Sequence, residues 1–476
     1  MARARGALDR EAPLRPATAR AHGGTLQIVI VGAGTVGFDL AIQLQQAGHD
    51  IGLVEVDEER CAEISAKLDI LVVHGPGGSP GVLERAGIAE ARILLAVTSV
   101  DEVNILACGL AAQYGVPTRI ARIRNRELIR DPEHIDLAPL GVTRAINPEG
   151  IVVRVIDQIA RIPDVVEVFG YHEGEILIAR HVLTAGMPIV GRSLVEILGA
   201  AGSGRLLSVL LRRGAEVRIP VGSDVLAPGD DVTTLFPRGS LPKYLDLLGL
   251  SGRAARKAVI AGDGLTAIQL GEVLSRWIPD VTLVSRDAAH AERAAAQLGR
   301  VEVLYGEPTD RDVLHDVNVA GADLFVGAGR DTPQNVMSAL LARAEGAGRV
   351  LAVSFEPQNN RLFRNIGVDH VISPRRAVNQ EIIDIILRGR GALELHLRDM
   401  DFQAVQLQAE PGSPITRAPL IETWKDLKGQ AIVGAVVHQG RMLVPGGDTR
   451  IEAGDDAIVI ASPRAARRIQ KLFGSR

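Results

Sequence analysis

At 476 residues the chain is three to four times the size of a typical domain, and at about 150 residues per domain it holds roughly three or four compact units. Its 53 Lys+Arg against 57 Asp+Glu give a net charge of −4, which excludes a nucleic-acid binder that relies on phosphate neutralisation, and aromatics at 3% leave base-stacking platforms poorly supplied. Two cysteines, Cys61 and Cys108, both in amphipathic helical stretches, exclude a disulfide framework or a cysteine metal site and point to the reducing cytoplasm. The uncharged stretch Val103 to Thr118 falls short of the roughly 20 apolar residues a spanning helix needs, and no membrane span is expected.

Residues 1–24 are Arg- and Ala-rich without a continuous apolar run, and a disordered extension is expected there. The chain then reads as two copies of one plan. Thr25 to Gly37 (TLQIVIVGAGTVG) and Arg256 to Ala267 (RKAVIAGDGLTA) are each a short aliphatic strand running into a glycine turn and a helix. A second strand recurs as DIGLVEVDEER from Asp50 and DVTLVSRD from Asp280, and a third ends in VVHG at Gly75 and VLYG at Gly306. A fourth recurs as RILLAVTSVDEVN and DLFVGAGRDTPQN, and a fifth as TRIARIR and RVLAVSF. Aliphatic strands alternating with helices predict parallel sheets buried on both faces. The segments AINPEGIVVRVIDQI and VISPRRAVNQEIIDII each read as a last strand and a long helix leaving the sheet; helices near 150–162 and 377–389 are expected to act as hinges or crossover contacts.

A smaller unit follows each copy. GMPIVGRSLVEIL matches GSPITRAPLIETW, and PGDDV matches AGDDA, in short alternating strands that predict a compact α+β module with tight Gly-Asp-Asp turns. The predicted fold is therefore α/β: a tandem duplication of a Rossmann-like doubly wound parallel sheet, each followed by a small α+β module. Expected boundaries are 25–163, 164–252, 253–390 and 391–476.

Gly32, Ala33, Gly34, Thr35, Val36 and Gly37 fit G-x-G-x-x-G directly after a strand and before a helix, the context that gives this motif its meaning. Gly32 permits the turn, Gly34 lets backbone N–H groups approach a pyrophosphate, and Gly37 permits close helix packing. The free N–H groups at the helix start then attract phosphate. Glu55, eighteen residues beyond Gly37, stands where an acid accepts ribose hydroxyls and repels a 2′-phosphate, favouring NAD(H) or ATP/ADP over NADP(H). Gly75, Thr98 and Ser99 end the third and fourth strands at the ligand edge of such a sheet, and Arg122, rather than Arg119 or Arg124, is expected to face the anionic site.

The second copy keeps Gly262, Asp263, Gly264, Leu265 and Thr266, but Ala267 replaces the third glycine and Ser285, followed by Arg286, replaces the acid. Loss of a charged hydrogen bond costs about 1.5–3 kcal/mol. This second site is accordingly degenerate.

Catalytic furniture is missing: the 11 histidines form no metal-ligand spacing, and no nucleophile elbow or P-loop occurs. His74 and His172 read as ordinary strand-end and turn residues. An NAD-dependent oxidoreductase would need an acid/base group that the chain does not present, so a non-enzymatic nucleotide binder is expected.

Carried by IVIVGAGTVG, VEVDEER, LAVTSVDEVN, RIARIR, VISP and the doubled Gly-Asp-Asp modules, residues 25–474 resemble the two-repeat RCK (regulator of K⁺ conductance) family of potassium-uptake regulators. The resemblance implies a cytoplasmic ring, a homotetramer, on the inner face of the membrane beneath a K⁺-translocating subunit, with bound NAD(H), ATP or ADP biasing ring shape. It maps contacts onto Gly32 to Val36, Glu55, Thr98, Ser99 and Arg122, and a second site onto Gly262 to Thr266 and Ser285. A nucleotide-sensing regulator of another membrane partner would share every one of these motifs.

Overall fold

The aliphatic runs form strands that are buried along nearly their whole length, the pattern required of a sheet covered on both faces. The computed structural model describes residues 25–129, 135–171, 174–201, 206–252, 255–387, 393–396, 402–439 and 441–474. The expected extension 1–24, His172 and the expected boundary at 390 lie outside them.

In the first repeat β1 (Gln27–Val31), α1 (Thr35–Gln46), β2 (Asp50–Glu55), α2 (Glu58–Lys67), β3 (Leu71–His74), α3 (Pro80–Arg85), β4 (Ile93–Ala96), α4 (Asp101–Gln113), β5 (Thr118–Arg122) and β6 (Arg144–Ile146) alternate, and α5 (Pro148–Arg161) leaves the sheet. The strand order is β3-β2-β1-β4-β5-β6, all parallel. The order reverses at β1, whose two neighbours β2 and β4 open a crevice at their carboxyl ends, the place where ligands bind in such sheets.

The first module holds β7 (Glu167–Tyr171), β8 (Ile176–Val182), α6 (Leu194–Ala201), β9 (Leu207–Arg213), β10 (Glu216–Arg218), β11 (Asp231–Pro237) and α7 (Leu241–Leu248). The second repeat runs β12 (Lys257–Ala261), α8 (Leu265–Leu274), β13 (Asp280–Ser285), α9 (Ala288–Gln297), β14 (Glu302–Tyr305), α10 (Arg311–Asp316), β15 (Leu324–Gly327), α11 (Thr332–Ala344), β16 (Arg349–Val353), α12 (Asn360–Asn365), β17 (His370–Ile372) and α13 (Pro374–Leu387). Its sheet order, β14-β13-β12-β15-β16-β17, repeats the first. The second module, with β18 (Leu393–His396), β19 (Gln403–Gln408), α14 (Leu420–Thr423), β20 (Ala431–His438), β21 (Arg441–Leu443), β22 (Asp456–Ala461) and α15 (Pro463–Phe473), repeats the antiparallel order of the first module.

In the Gly-Asp-Asp turns, Asp230 accepts from the Ala227 N–H and from Arg213, and its counterpart Asp455 accepts from the Glu452 N–H and contacts His438. The two module sheets pack face to face through Ile178, Val209 and Leu235 on one side and Ala404, Ala435 and Ile458 on the other.

The exit helices are exchanged between repeats. From α5, Ile156 and Ile159 join the core that contains Leu270 and Leu274 of α8 in the second repeat. From α13, Val378, Ile382 and Ile386 join Leu40 and Leu44 of α1 in the first. Polar contacts fix both exchanges. Arg349 donates to the carbonyls of Ile159, Ala160 and Ile162, the C-terminal end of α5 where a cation is favoured, while Trp277 donates to Asp157 at 2.9 Å. On the other side Arg375 of α13 forms a two-pronged pair with Asp39 of α1.

Candidate functional site

The glycine turn follows directly from the backbone. Gly32 sits at φ +99°, which L side chains avoid, and a Cβ there would lie 2.9 Å from the Thr98 methyl. A Cβ on Gly37 would meet the Gly32 carbonyl oxygen at 1.9 Å, so only glycine lets α1 pack this closely on the turn. At Gly34 the situation is opposite: the residue is exposed, and a Cβ would find nothing within 4 Å. Open space therefore stands before the start of α1, whose N-cap is Gly34 and carries no side-chain cap. The first N–H groups of that helix are available to an anion. By contrast, α2 and α5 are closed by Asp57 and Asn147 side chains.

Glu55 ends β2 beside this turn. Its Oε2 accepts from the Ala33 N–H at 2.6 Å, and its Oε1 accepts from the N–H groups of Val56 and Asp57 at 2.8 and 3.1 Å. The acid thus holds the turn in place while keeping its charge at the crevice. Gly75, at φ +150°, follows β3 and donates to the Glu55 carbonyl at 2.8 Å. The loop after it folds back so tightly that a Cβ on Gly77 would strike the Val31 side chain.

From β4, Thr98 reaches the same edge, but its hydroxyl donates to Asn104 Oδ1 at 2.7 Å and accepts from the Val100 N–H, inside the turn that starts α4. Ser99 beside it is exposed. Of the three arginines on or just after β5, Arg119 spends its guanidinium on the Gly141 and Val116 carbonyls and Arg124 pairs with Glu149 at 3.2 Å. Arg122 is the one at the crevice: it reaches the Thr98 carbonyl at 3.4 Å, and its Nε is buried without a hydrogen-bond partner. Burial, then the neighbouring Arg124 charge, lowers its pKa from the ordinary guanidinium value. An anion in the crevice would relieve both. The first-repeat residues therefore fit a nucleotide.

The second repeat repeats the frame but not the opening. Gly262 donates to the Val284 carbonyl at 3.0 Å, as Gly32 does to Val54, and Ala267 is wholly buried where Gly37 stands. Ser285 is 0% exposed and its hydroxyl lies 3.0 Å from Nδ1 of His290, whose Nε2 lies 3.2 Å from the Gly264 carbonyl. Asp263 pairs with Arg286 at 3.4 Å, and a Cβ on Gly264 would lie 3.6 Å from Arg330. Leu265 and Thr266 open α8. The acid's place is thus taken by a serine already committed to a histidine from α9.

Two residues escape sequence reading. Asn104 bonds the Thr98 and Arg122 carbonyls, tying the ends of β4 and β5 together, and Asn335 does the same for Gly329 and Val353. Their recurrence at one position of both copies was the available signal. Arg60 packs over the Phe38 ring and reaches the Ala33 carbonyl at 3.4 Å, beside the turn.

Two doubly wound sheets with the glycine turn at the switch point, each followed by a small antiparallel module, define a tandem Rossmann-like protein of the RCK class. The TrkA-N domain family matches residues 28–148 and 258–374, and the TrkA-C domain family matches 409–474. The chain belongs to the TrkA family. It is 29% identical over 456 residues to the Trk system potassium uptake protein TrkA of Azorhizobium caulinodans, covering 94% of this chain and 98% of that protein, and 28% identical to that of Halomonas elongata. Among solved structures it is similar to the GsuK RCK domain (TM-score 0.59, 18% identity, 98% of both chains) and to a GsuK channel bound to NAD (TM-score 0.58, 18% identity, 97% of this chain and 80% of that one). The relatives are named for potassium uptake, not for a catalysed reaction. Among the described residues no helix is long and apolar enough to cross a membrane, and no cluster of potential metal ligands occurs.

Proposed function

We propose that the chain is a cytoplasmic, nucleotide-sensing gating subunit of a Trk-type potassium uptake system, peripheral to the membrane and working as a homotetrameric ring on a membrane-embedded K⁺-translocating subunit. The observation that carries this reading is the open turn at Gly34 beside the Glu55 carboxylate, on a chain whose full-length relatives are named for potassium uptake. NAD(H), ATP or ADP is held by the backbone of Gly32 to Val36, by Glu55 at the ribose, and by Ser99 and Arg122 at the far side of the crevice, with Thr98 and Gly75 shaping its walls.

The exchanged helices supply the route from site to ring. Asp39 lies one turn beyond the phosphate end of α1 and pairs with Arg375 of α13, so a displacement of α1 is felt by the helix that leads to the second module. A ligand shifts the ring only by binding one geometry better than the other, about 1.4 kcal/mol for each tenfold difference.

Calorimetry of NAD⁺, NADH, ATP, ADP and NADP⁺ against the wild-type chain, Glu55→Ala and Ser285→Ala tests the reading. It expects one adenosine ligand per chain, lost in Glu55→Ala and kept in Ser285→Ala. Absence of binding, or preference for NADP⁺, overturns it.

A further inference from the structure

The helix α15 of the second module carries a charge pattern that its fold does not ask for. Over Pro463–Phe473 it holds Arg464, Arg467, Arg468 and Lys471 and no carboxylate. Ala465, Ile469 and Phe473 are buried in the module core, while Arg464, Arg468 and Lys471, at spacings of four and three, stand exposed on one stripe turned away from it. The segment 424–430 runs beside the helix: the Ser462 N–H donates to the Gln430 carbonyl at 2.9 Å, the Trp424 ring meets Phe473 edge-on, and Arg468 lies 3.9 Å from Asp426. It brings exposed Lys425 and Lys428 with it. Three carboxylates border these six cations: Asp426, 84% exposed at that long distance, Glu422 on α14, and Glu410, whose N–H donates to the Phe473 carbonyl. On a chain of net charge −4 the surface is a local excess of positive charge.

The pattern costs the helix stability. Arg464 sits in the first turn, at the positive end of the helix dipole, and Arg464–Arg468 and Arg468–Lys471 set like charges at neighbouring positions. The matching helix of the first module, α7, carries one cation, Lys243, and one carboxylate, Asp246, so the architecture is built without such a stripe. A local rule broken where the fold gains nothing marks a function. The apolar face of α15 is committed to the core, which leaves the helix nothing to insert into a bilayer. Trp424, the aromatic of the adjoining segment, is half-buried and donates its Nε1–H to the Ala431 carbonyl, so it offers no anchor for a shaped protein partner. A plane of anionic lipid headgroups asks only for flexible cations on one face, held within a Debye length of about 10 Å.

We propose that the face formed by α15 and segment 424–430 lies on an anionic lipid surface and holds the second module there by charge, without insertion. This contact goes beyond nucleotide sensing. It needs neither nucleotide nor a K⁺-translocating subunit, and it gives the proposed ring a membrane contact of its own.

Co-sedimentation of the full chain with vesicles decides the matter. Vesicles of phosphatidylcholine with about 30% phosphatidylglycerol bind the chain at low salt, phosphatidylcholine alone does not, and binding is lost at about 0.5 M salt, where charges are screened within a few ångström. The exposed double substitution Arg468→Glu with Lys471→Glu weakens binding about tenfold or more. Arg468→Lys keeps it, as does Lys243→Glu on the first module, and each variant retains the wild-type thermal midpoint to within a few degrees. Should the double reversal fail to fold, Arg464→Gln with Arg468→Gln reports the same loss. Equal binding to both kinds of vesicle, binding that persists in high salt, or binding unchanged by the paired substitutions overturns the proposal. So does no binding to the anionic vesicles; if polyglutamate then binds the chain, the face recognises an acidic polypeptide instead. Glu55→Ala keeps vesicle binding, and failure of adenosine ligands to bind the first turn leaves all these outcomes unchanged.

Discussion

Glu55→Gln separates the two duties of the acid. An ionised carboxylate has about four acceptor positions, and three are taken by the N–H groups of Ala33, Val56 and Asp57. The amide keeps the length of the side chain, but its NH₂ cannot accept, so one side of this fork faces an N–H with a donor. It also removes the charge that a ribose diol would bond. A hydrogen bond to a charged group is worth about 1.5–3 kcal/mol, which at about 1.4 kcal/mol per decade is a ten- to hundredfold loss of affinity. Titration calorimetry with ADP, NAD⁺ and NADP⁺ should show ADP and NAD⁺ weakened by that factor. NADP⁺, whose 2′-phosphate no longer meets a carboxylate, should be unchanged or tighter. An ADP affinity within about threefold of wild type would refute the assignment of Glu55 to the ribose and leave it only the task of bracing the turn.

Further outcomes follow from the same geometry. His290→Ala removes the imidazole that bridges the Ser285 hydroxyl and the Gly264 carbonyl, at a site 2% exposed; two hydrogen bonds at about 1 kcal/mol each put the cost at about 2 kcal/mol, read as a lower urea midpoint, with nucleotide affinity unchanged. Burial pushes the Cys108 thiol up to about 12 and also raises that of Cys61, so neither should react with a disulfide reagent at neutral pH faster than the chain unfolds. His181, buried between Tyr244 Oη at 2.8 Å and the Pro163 carbonyl at 3.0 Å, is held below the ordinary imidazole range by that burial. Because the unfolded state binds this proton more tightly, its contribution to stability is complete above the ordinary value of about 6.5 and falls as pH drops below it. Denaturation midpoints against pH should therefore slope downward below that value in wild type and less so in His181→Gln.

The duplication and both parallel sheets were legible because burial on two faces demands continuous aliphatic strands, and because a motif such as GAGTVG has one backbone that satisfies it. Glu55 could be located by spacing, since β2 has a fixed length and its end must meet the turn. Other features depend on contacts that spacing does not encode. Three arginines alternate on or beside β5, and although the sequence favours Arg122, spacing does not encode the contacts that occupy the others, Arg119 on backbone carbonyls and Arg124 on Glu149. Thr98 reads as a ligand hydroxyl or as a turn former with equal ease, and the structure commits its proton to Asn104. The exchange of α5 and α13 was legible only in outline, as helices leaving each sheet that could make crossover contacts: an apolar helix face announces that it is buried, not which sheet buries it.

That exchange also decides what an asymmetric pair of sites can do. The second turn is filled by its own side chains, Ser285 by His290 and Asp263 by Arg286, so its geometry is set without a ligand. The first turn is open at Gly34 and braced from the side by Glu55, with Arg60 reaching the Ala33 carbonyl. If the repeats were separate bodies, ligand at the first would tell the second nothing. Here α13 is part of the hydrophobic core of the first repeat and α5 part of that of the second, so neither sheet can tilt without moving the helix that leads to the other module. One responsive site per chain is then enough. Taking a two-state ring from about 1:99 to 99:1 needs roughly 5.5 kcal/mol of differential binding, and in the proposed ring of four chains each site need supply only about 1.4 kcal/mol, a tenfold preference for one geometry. A preference of that size lies within the reach of a single charged hydrogen bond made in one state and strained in the other, which is the kind of contact Glu55 offers.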